Sequence, residues 1–389
     1  MIDFNDVEVT FASKNDDELK QAERLFSVFN QTWLVTISGH IGLLLASWGV
    51  PLGWAVRNTI FKHFCGGQSL DDCLMTINSL KKFNIDVILD YGVEAKDSEV
   101  EFENTLQQIK KTIDAAATQS GQRIISIKLT GLGSMKLLEL LDASQPLTAS
   151  QIEEWERVKA RMHYVCKYGK EKNVQLYIDA EESWIQDATD HLVTELMQTY
   201  NSTEAFVFNT FQLYRHDRLD FLSVSILHAK KNNYILGAKL VRGAYMEKER
   251  KRAEKLNYFS PINQSKMATD THYNQAVESC IVHLENVAFC CATHNDFSIN
   301  NCLDLMQKNN IPKNSKHITF SQLYGMSDNL TYVLAKEGYN VTKYLPFGPV
   351  EDVLPYLMRR AQENTAMSGM MGRELAMIKQ EIKRRKHGK

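Results

Sequence analysis

The chain has 389 residues, 44% of them hydrophobic, enough to bury a full core as one large domain or two. Basic residues number 45 against 47 acidic ones, a balance that excludes a nucleic-acid binder working through bulk charge. The seven cysteines include the neighbours Cys290 and Cys291 but no Cys-x-x-Cys pair. Neither metal-ligand spacing nor a disulfide framework is therefore expected, and a reducing compartment fits.

The N-terminus, MIDFNDVEVTFASKNDDELK, is acidic. It shows neither the basic-then-apolar pattern of a secretory leader nor the Arg-rich, acid-poor character of a transit peptide. Residues 1–83 read as a helical arm. Within it, Ile41 to Val56 (IGLLLASWGVPLGWAV) is uncharged but shorter than the ~20 residues that span a bilayer, and Pro51 breaks it. Two buried helices meeting at Gly49-Val50-Pro51 are one reading; a patch resting on a membrane is the other.

From about residue 84, short apolar or β-branched runs alternate with amphipathic segments. Strands are expected at 87–90, 124–129, 174–179, 205–208, 235–241, 287–291, 317–320 and 341–345. Helices are expected at 99–120, 151–172, 184–200, 213–232, 270–285, 296–309, 328–338 and 351–365. Eight such units over residues 84–365 fit an α/β fold of the (β/α)8 TIM-like barrel type better than an open doubly wound sheet. Residues 366–389 form a helical tail with Lys379, Lys383, Arg384, Arg385 and Lys386. It reads as a solvated, frayed helix end, with contact to anionic lipid as the alternative.

Such a barrel carries its site at the C-terminal ends of the strands. Those ends hold Lys128, Asp179-Ala180-Glu181-Glu182, Asn209 to Gln212, Lys239 to Tyr245, Thr293-His294-Asn295 and Tyr344. Singly, each has a structural explanation: Lys128 and Asp179 pairing across the mouth, an Asp capping a helix, Gly243-Ala244 making a turn. The cluster points to a site. After the last strand, YLPFGPVEDVLPYLMRRAQEN turns into a helix whose Arg359 and Arg360 lie about 100° apart, so both can straddle one small anion. Guanidinium forks grip carboxylates in bidentate fashion. No metal triplet, GxSxG or Cys-His signature is present, and Gly131-Leu132-Gly133 lacks the third glycine of a dinucleotide loop. The site looks built for a ligand that brings its own chemistry.

Six segments in this order, SIKLTGLG, YIDAEES, FNTFQLY, KLVRGAYMEKER, ATHN and YLPFGPVEDVLPYLMRRAQENT, resemble the proline dehydrogenase family over the whole barrel. FASKNDDELKQA and IFKHFCGGQSLDDC resemble its monofunctional branch. The resemblance implies a distorted (β/α)8 barrel holding non-covalent FAD. It also implies oxidation of L-proline to Δ1-pyrroline-5-carboxylate by hydride transfer to flavin N5, with electrons passed to a membrane quinone. By that resemblance Arg359 and Arg360 clamp the proline carboxylate, while Tyr245 and Tyr344 wall the ring. Lys128 and Asp179 form the polar pair at the mouth. Asp179, Ala180, Phe208, Gln212, Lys239, Val241, Arg242, Gly243, Ala244, Thr293, His294 and Asn295 match flavin contacts. Lys266 and Glu363 fall toward the adenosine half.

Two positions depart from the bifunctional relatives. Lys239 replaces an arginine facing the flavin, keeping the charge but losing the fork, and Met246 replaces an aromatic residue. Lys239 is the expected cation stabilising reduced flavin. The expected location is cytoplasmic, with peripheral contact to the inner face of the cell membrane as a further reading. Another FAD barrel, for hydroxyproline or of methylenetetrahydrofolate reductase type, and a flavin-free binding protein are the alternatives.

Overall fold

The computed structural model describes residues 2–29, 61–92, 96–350, 352–353, 356–357, 359 and 368–387. Eight strands close into one barrel in sequence order. They are β1 Asp86–Tyr91, β2 Arg123–Lys128, β3 Gln175–Asp179, β4 Val207–Gln212, β5 Leu236–Val241, β6 Val287–Ala292, β7 Ile318–Leu323 and β8 Val341–Phe347. Every register from β1 to β7 is parallel. Parallel strands covered by helices bury both faces, which is why they read as continuous apolar runs such as Val87-Ile88-Leu89.

Local chemistry sets where the helices begin and end. Thr148 and Gln151 form a reciprocal capping box at the start of helix Ala149–Glu171, and Ser98, Ser134 and Ser265 cap three others through their hydroxyls. Each such cap contributes about 1 kcal/mol. Between a helix and the next strand the backbone turns left-handed at Asn84, Asn173, Asn233 and Asn310, a conformation asparagine tolerates better than most residues.

The barrel matches the expected fold, with corrections in detail. The fourth strand is Val207–Gln212, where 205–208 was expected: Asn209 to Gln212 belong to the ladder and are fully buried. The following helix starts at Arg218, since 213–217 form the turn. Two further helices, Met135–Asp142 and Met246–Leu256, stand beside the expected one per strand. The expected 351–365 helix is described only at 352, 353, 356, 357 and 359, all helical. Ile41–Val56 lies outside the described residues, as do Arg360 and Glu363. Among the described residues no helix is long and apolar enough to cross a membrane.

The chain divides into two compact units. One is residues 86–321 and carries β1 to β6 and the start of β7. The other joins residues 1–85 to 322–389. In this second unit helices Asp16–Phe29 and Ser368–His387 share a core of Phe11, Leu19, Phe26, Phe64, Met326 and Ile378. The tail is no frayed end. Arg385 donates to the carbonyls of Lys14 at 2.8 Å and Phe11 at 3.0 Å and pairs with Asp16, while buried Glu381 holds Arg384 and Arg385. Beneath this core, fully buried Lys343 of β8 pairs with Asp328 at 2.8 Å and donates to Met326 O at 2.6 Å. Lys14 lies 3.4 Å from the same carboxylate. Burial alone would raise the Asp328 pKa; Lys343 and Lys14 outweigh it and hold the group well below the usual carboxylate range.

Candidate active site at the strand ends

In the unit spanning residues 86–321, the C-terminal ends of β1, β2, β3 and β5 gather two ion pairs. Lys128 and Asp179, expected as a pair at the mouth, are backbone register partners across β2 and β3. Their recorded partners widen that pair into a set of four. Lys128 Nζ lies 3.1 and 3.3 Å from the carboxylate oxygens of Asp90 on β1. Lys239 Nζ on β5 donates to Asp179 Oδ1 at 2.5 Å. Side-chain exposure is 9% and 2% in the first pair and 7% and 11% in the second. Two ammoniums thus face two carboxylates at this burial. Asp90 escaped the sequence reading because it sits inside an apolar run and its partner lies 38 residues away.

The segment after β3 is held by its own polar bonds. Glu181 accepts from Thr130 Oγ1 at 2.6 Å and from Thr130 N at 3.3 Å. Gln212 Nε2 donates to Glu181 O at 2.7 Å, so this expected cofactor residue has its amide nitrogen committed to the loop. Ala180 is half-buried. Phe208 is buried with its ring centroid 4.5 Å from that of Tyr177, a core contact.

At the end of β5 the geometry is most specific. Arg242 donates from Nε to Asp270 at 2.8 Å, from Nη1 to Thr293 Oγ1 at 2.6 Å and from Nη2 to Ser298 Oγ at 2.9 Å. Its guanidinium carbon lies 4.4 Å from the Tyr273 ring centroid. Those bonds use three of the five N–H groups a guanidinium carries and fix its plane. Lys266 reaches the same Asp270 at 2.5 Å. Burial pushes the Asp270 carboxyl up, but the bonds from Lys266 and Arg242 outweigh it and leave its pKa lowered. Two cations thus share one carboxylate, an excess of one positive charge.

Gly243 follows at φ +134°, where a Cβ would come within 2.5 Å of the Tyr214 ring. Glycine is required there by both conformation and space. Val241 and Ala244 are half-buried and Tyr245 is buried. Just after β6, Thr293 accepts from Arg242, His294 is half-buried, and Asn295 accepts from Ser298 N at 3.0 Å as the cap of helix Asp296–Lys308. In the other unit Tyr344 is buried and its carbonyl accepts from Tyr324 N at 2.9 Å, while Arg359 is helical and half-buried. A cleft of about 440 Å³ bordered by Trp184, Arg215, Arg252 and Phe259 includes none of the expected site residues.

A closed barrel of eight parallel strands with its polar groups collected at the strand ends defines an enzyme of the (β/α)8 class. The family model described as proline dehydrogenase matches residues 73–373, and the chain belongs to that family, which makes it an oxidoreductase. It is 31% identical over 380 residues to the mitochondrial proline dehydrogenase 1 of Arabidopsis thaliana, covering 87% of this chain and 76% of that one. It is 31% identical over 322 residues to the carbapenem antibiotics biosynthesis protein CarD of Pectobacterium carotovorum subsp. carotovorum, covering 83% of each. Among solved structures, proline utilization A from Bdellovibrio bacteriovorus superposes with a TM-score of 0.74 at 22% identity, over 94% of this chain. This chain spans 39% of that longer one, and the likeness shows the fold.

Proposed function

We propose that this protein oxidises L-proline to Δ1-pyrroline-5-carboxylate using non-covalent FAD, and passes the electrons to a membrane quinone at the inner face of the cell membrane. The observation that carries the reading, beside family membership, is the fixed Arg242 at the end of β5. Three of its N–H donors are engaged, two remain, and it shares one carboxylate with Lys266. That donor set, with its excess positive charge, fits the diphosphate of a dinucleotide cofactor. Bound FAD supplies an acceptor for the hydride that leaves the proline δ-carbon.

The chain's own residues do the rest. Arg359 and Arg360 grip the carboxylate, and Tyr245 and Tyr344 confine the ring, so positioning lowers the barrier. Proline reacts as the free amine, and the positive charges of Arg359 and Arg360 favour loss of its proton, with a smaller share from Lys128, which Asp90 offsets in part. Lys239 contributes less free charge than its sequence position alone implies, because Asp179 at 2.5 Å offsets it. Its part is to hold that carboxylate in place.

Anaerobic titration of the flavin-loaded protein with L-proline tests the reading. Flavin absorbance is expected to bleach with proline and not with NADH or 4-hydroxyproline, and to return on adding a soluble quinone. Bleaching by NADH, or a protein that takes up no flavin, overturns it. Arg360→Met is expected to raise KM for proline by about two orders of magnitude, the scale of a buried charged hydrogen-bonded pair. An unchanged KM removes the clamp assignment.

A further inference from the structure

Helix Met246–Leu256 begins directly after Tyr245, and its first turns are fastened to the segment that follows β3. Glu249 has no exposed surface although it carries a carboxyl group. Its Oε1 accepts from the Ser183 backbone N–H at 2.6 Å and its Oε2 from Ser183 Oγ at 2.6 Å. Lys248 pairs with Glu182, and Arg252 lies over the Trp184 ring with its guanidinium carbon 4.2 Å from the centroid. Three consecutive residues after β3 thus meet three residues of one helix. The Glu249 N–H in turn donates to the carbonyl of Tyr245 at 2.9 Å, which makes Tyr245 part of the helix's first turn.

These contacts join strands that are not neighbours, because β4 lies between β3 and β5. Asp179 closes β3 four residues before Ser183, and Lys239, its ion-pair partner, precedes Tyr245 by six residues on β5. The two strand ends are therefore tied twice, inside the barrel by Lys239 and Asp179 and beyond the strands by Glu249 and Ser183. Desolvating a carboxylate is unfavourable, and a helix this rich in charged residues could have met Ser183 with a neutral side chain. The charged acceptor makes the contact shorter and more directional.

We propose that Glu249 is a positioning residue for the reaction: through Ser183 it fixes helix Met246–Leu256, and with it the Tyr245 ring, relative to the Asp179–Lys239 pair. The inference rests on the reading of Tyr245 as a wall of the substrate site.

Steady-state kinetics with proline on the flavin-loaded enzyme test it through Glu249→Gln, Ser183→Ala and Tyr245→Ala. Glu249→Gln is expected to raise KM about 10-fold with kcat within about 2-fold and flavin content unchanged. Ser183→Ala moves KM in the same direction by less, and the double variant is no worse than Glu249→Gln alone, since both cut one contact. In the Tyr245→Ala background Glu249→Gln adds nothing further. A Glu249→Gln enzyme that melts earlier yet keeps its KM shows a purely structural role and overturns the proposal. Should that variant not fold, Ser183→Ala decides alone: an unchanged KM is again fatal. If Tyr245→Ala leaves KM unaltered, the substrate-wall reading has failed, and the proposal falls with it by a separately visible route.

Discussion

Replacing Arg242 separates the structural role of this side chain from the cofactor-binding role proposed for it. Arg242→Met removes a charge-assisted bond to Asp270, two bonds to hydroxyl oxygens and a cation stacked on Tyr273. At about 1.5–3 kcal/mol for the first, about 1 for each of the next two and about 0.5–1 for the stack, the gross loss is about 4–6 kcal/mol. Arg242 and Asp270 are 21% and 26% exposed, so water recovers part, and apo-protein stability is expected to fall by about 2–4 kcal/mol. On the proposed reading flavin binding would be lost through other atoms, the two N–H groups left for a phosphate. Charged hydrogen bonds there are worth about 2–3 kcal/mol, a rise of about 30–150-fold in the FAD Kd. Arg242→Lys keeps the charge without the fork, and a rise of about 10-fold is expected. The assay pairs apo-protein melting with FAD titration followed by flavin fluorescence. A variant that melts earlier while its FAD Kd stays within about 3-fold of the parent would refute the phosphate role and leave Arg242 as scaffold only.

In the second unit, Lys343→Met strips the cation 2.8 Å from buried Asp328 and is expected to cost about 3–5 kcal/mol. With about 2.1 cal/mol/K of unfolding entropy per residue over 389 residues, that is about 4–6 °C in Tm. Adding Asp328→Asn should restore part of it, and a Tm within 1 °C of the parent (about the assay's precision) contradicts the pair's contribution. Gly243→Ala places a Cβ 2.5 Å from the Tyr214 ring at φ +134° and is expected to cost about 3 kcal/mol; normal melting and normal flavin content would show that the turn relaxes freely. The Glu374 carboxyl is raised to about 8 by burial, reinforced by Asp328. A folded-state pKa above the unfolded value of about 4.3 means that the native state binds the extra proton. This group's contribution is therefore complete below about pH 4.3 and is lost as pH climbs through 8. Glu374→Gln should flatten that decline, so parallel Tm–pH curves for variant and parent would contradict it.

Much of the barrel was legible because buried parallel strands must be apolar on both faces, and runs such as Ile124-Ile125-Ser126-Ile127 announce themselves. The same logic misplaced β4. Asn209, Thr210 and Gln212 looked too polar for a strand, yet Asn209 bonds to buried Asp190, Thr210 to Ile178 O and Gln212 to Glu181 O, so the ladder continues through them. Helix Met246–Leu256, MEKERKRAEKL, was hidden for the opposite reason: charge all round leaves no apolar stripe to detect. Within that run nothing distinguishes Glu249, whose burial depends on Ser183, 66 residues earlier in the chain. Candidate site residues were readable wherever a strand end was readable. Their partners Asp90, Asp270 and Ser298 were not, because an ion pair is written in three dimensions and has no local spacing.

The second unit also dictates an order of events during synthesis. Leu19 and Phe26 belong to the same buried cluster as Leu375, Met377 and Ile378, some 350 residues downstream. At about 5–20 residues per second, the ribosome needs roughly 20–70 s to deliver the strip that covers them. Until then helix Asp16–Phe29 lacks the cover that the folded chain gives it. Residues 86–321 form a compact unit of their own and can meanwhile begin to collect their helices and strands. Helix Asp16–Phe29 is thus among the last segments to be buried, and folding helpers that shield an amphipathic helix would act on it long before any substrate does.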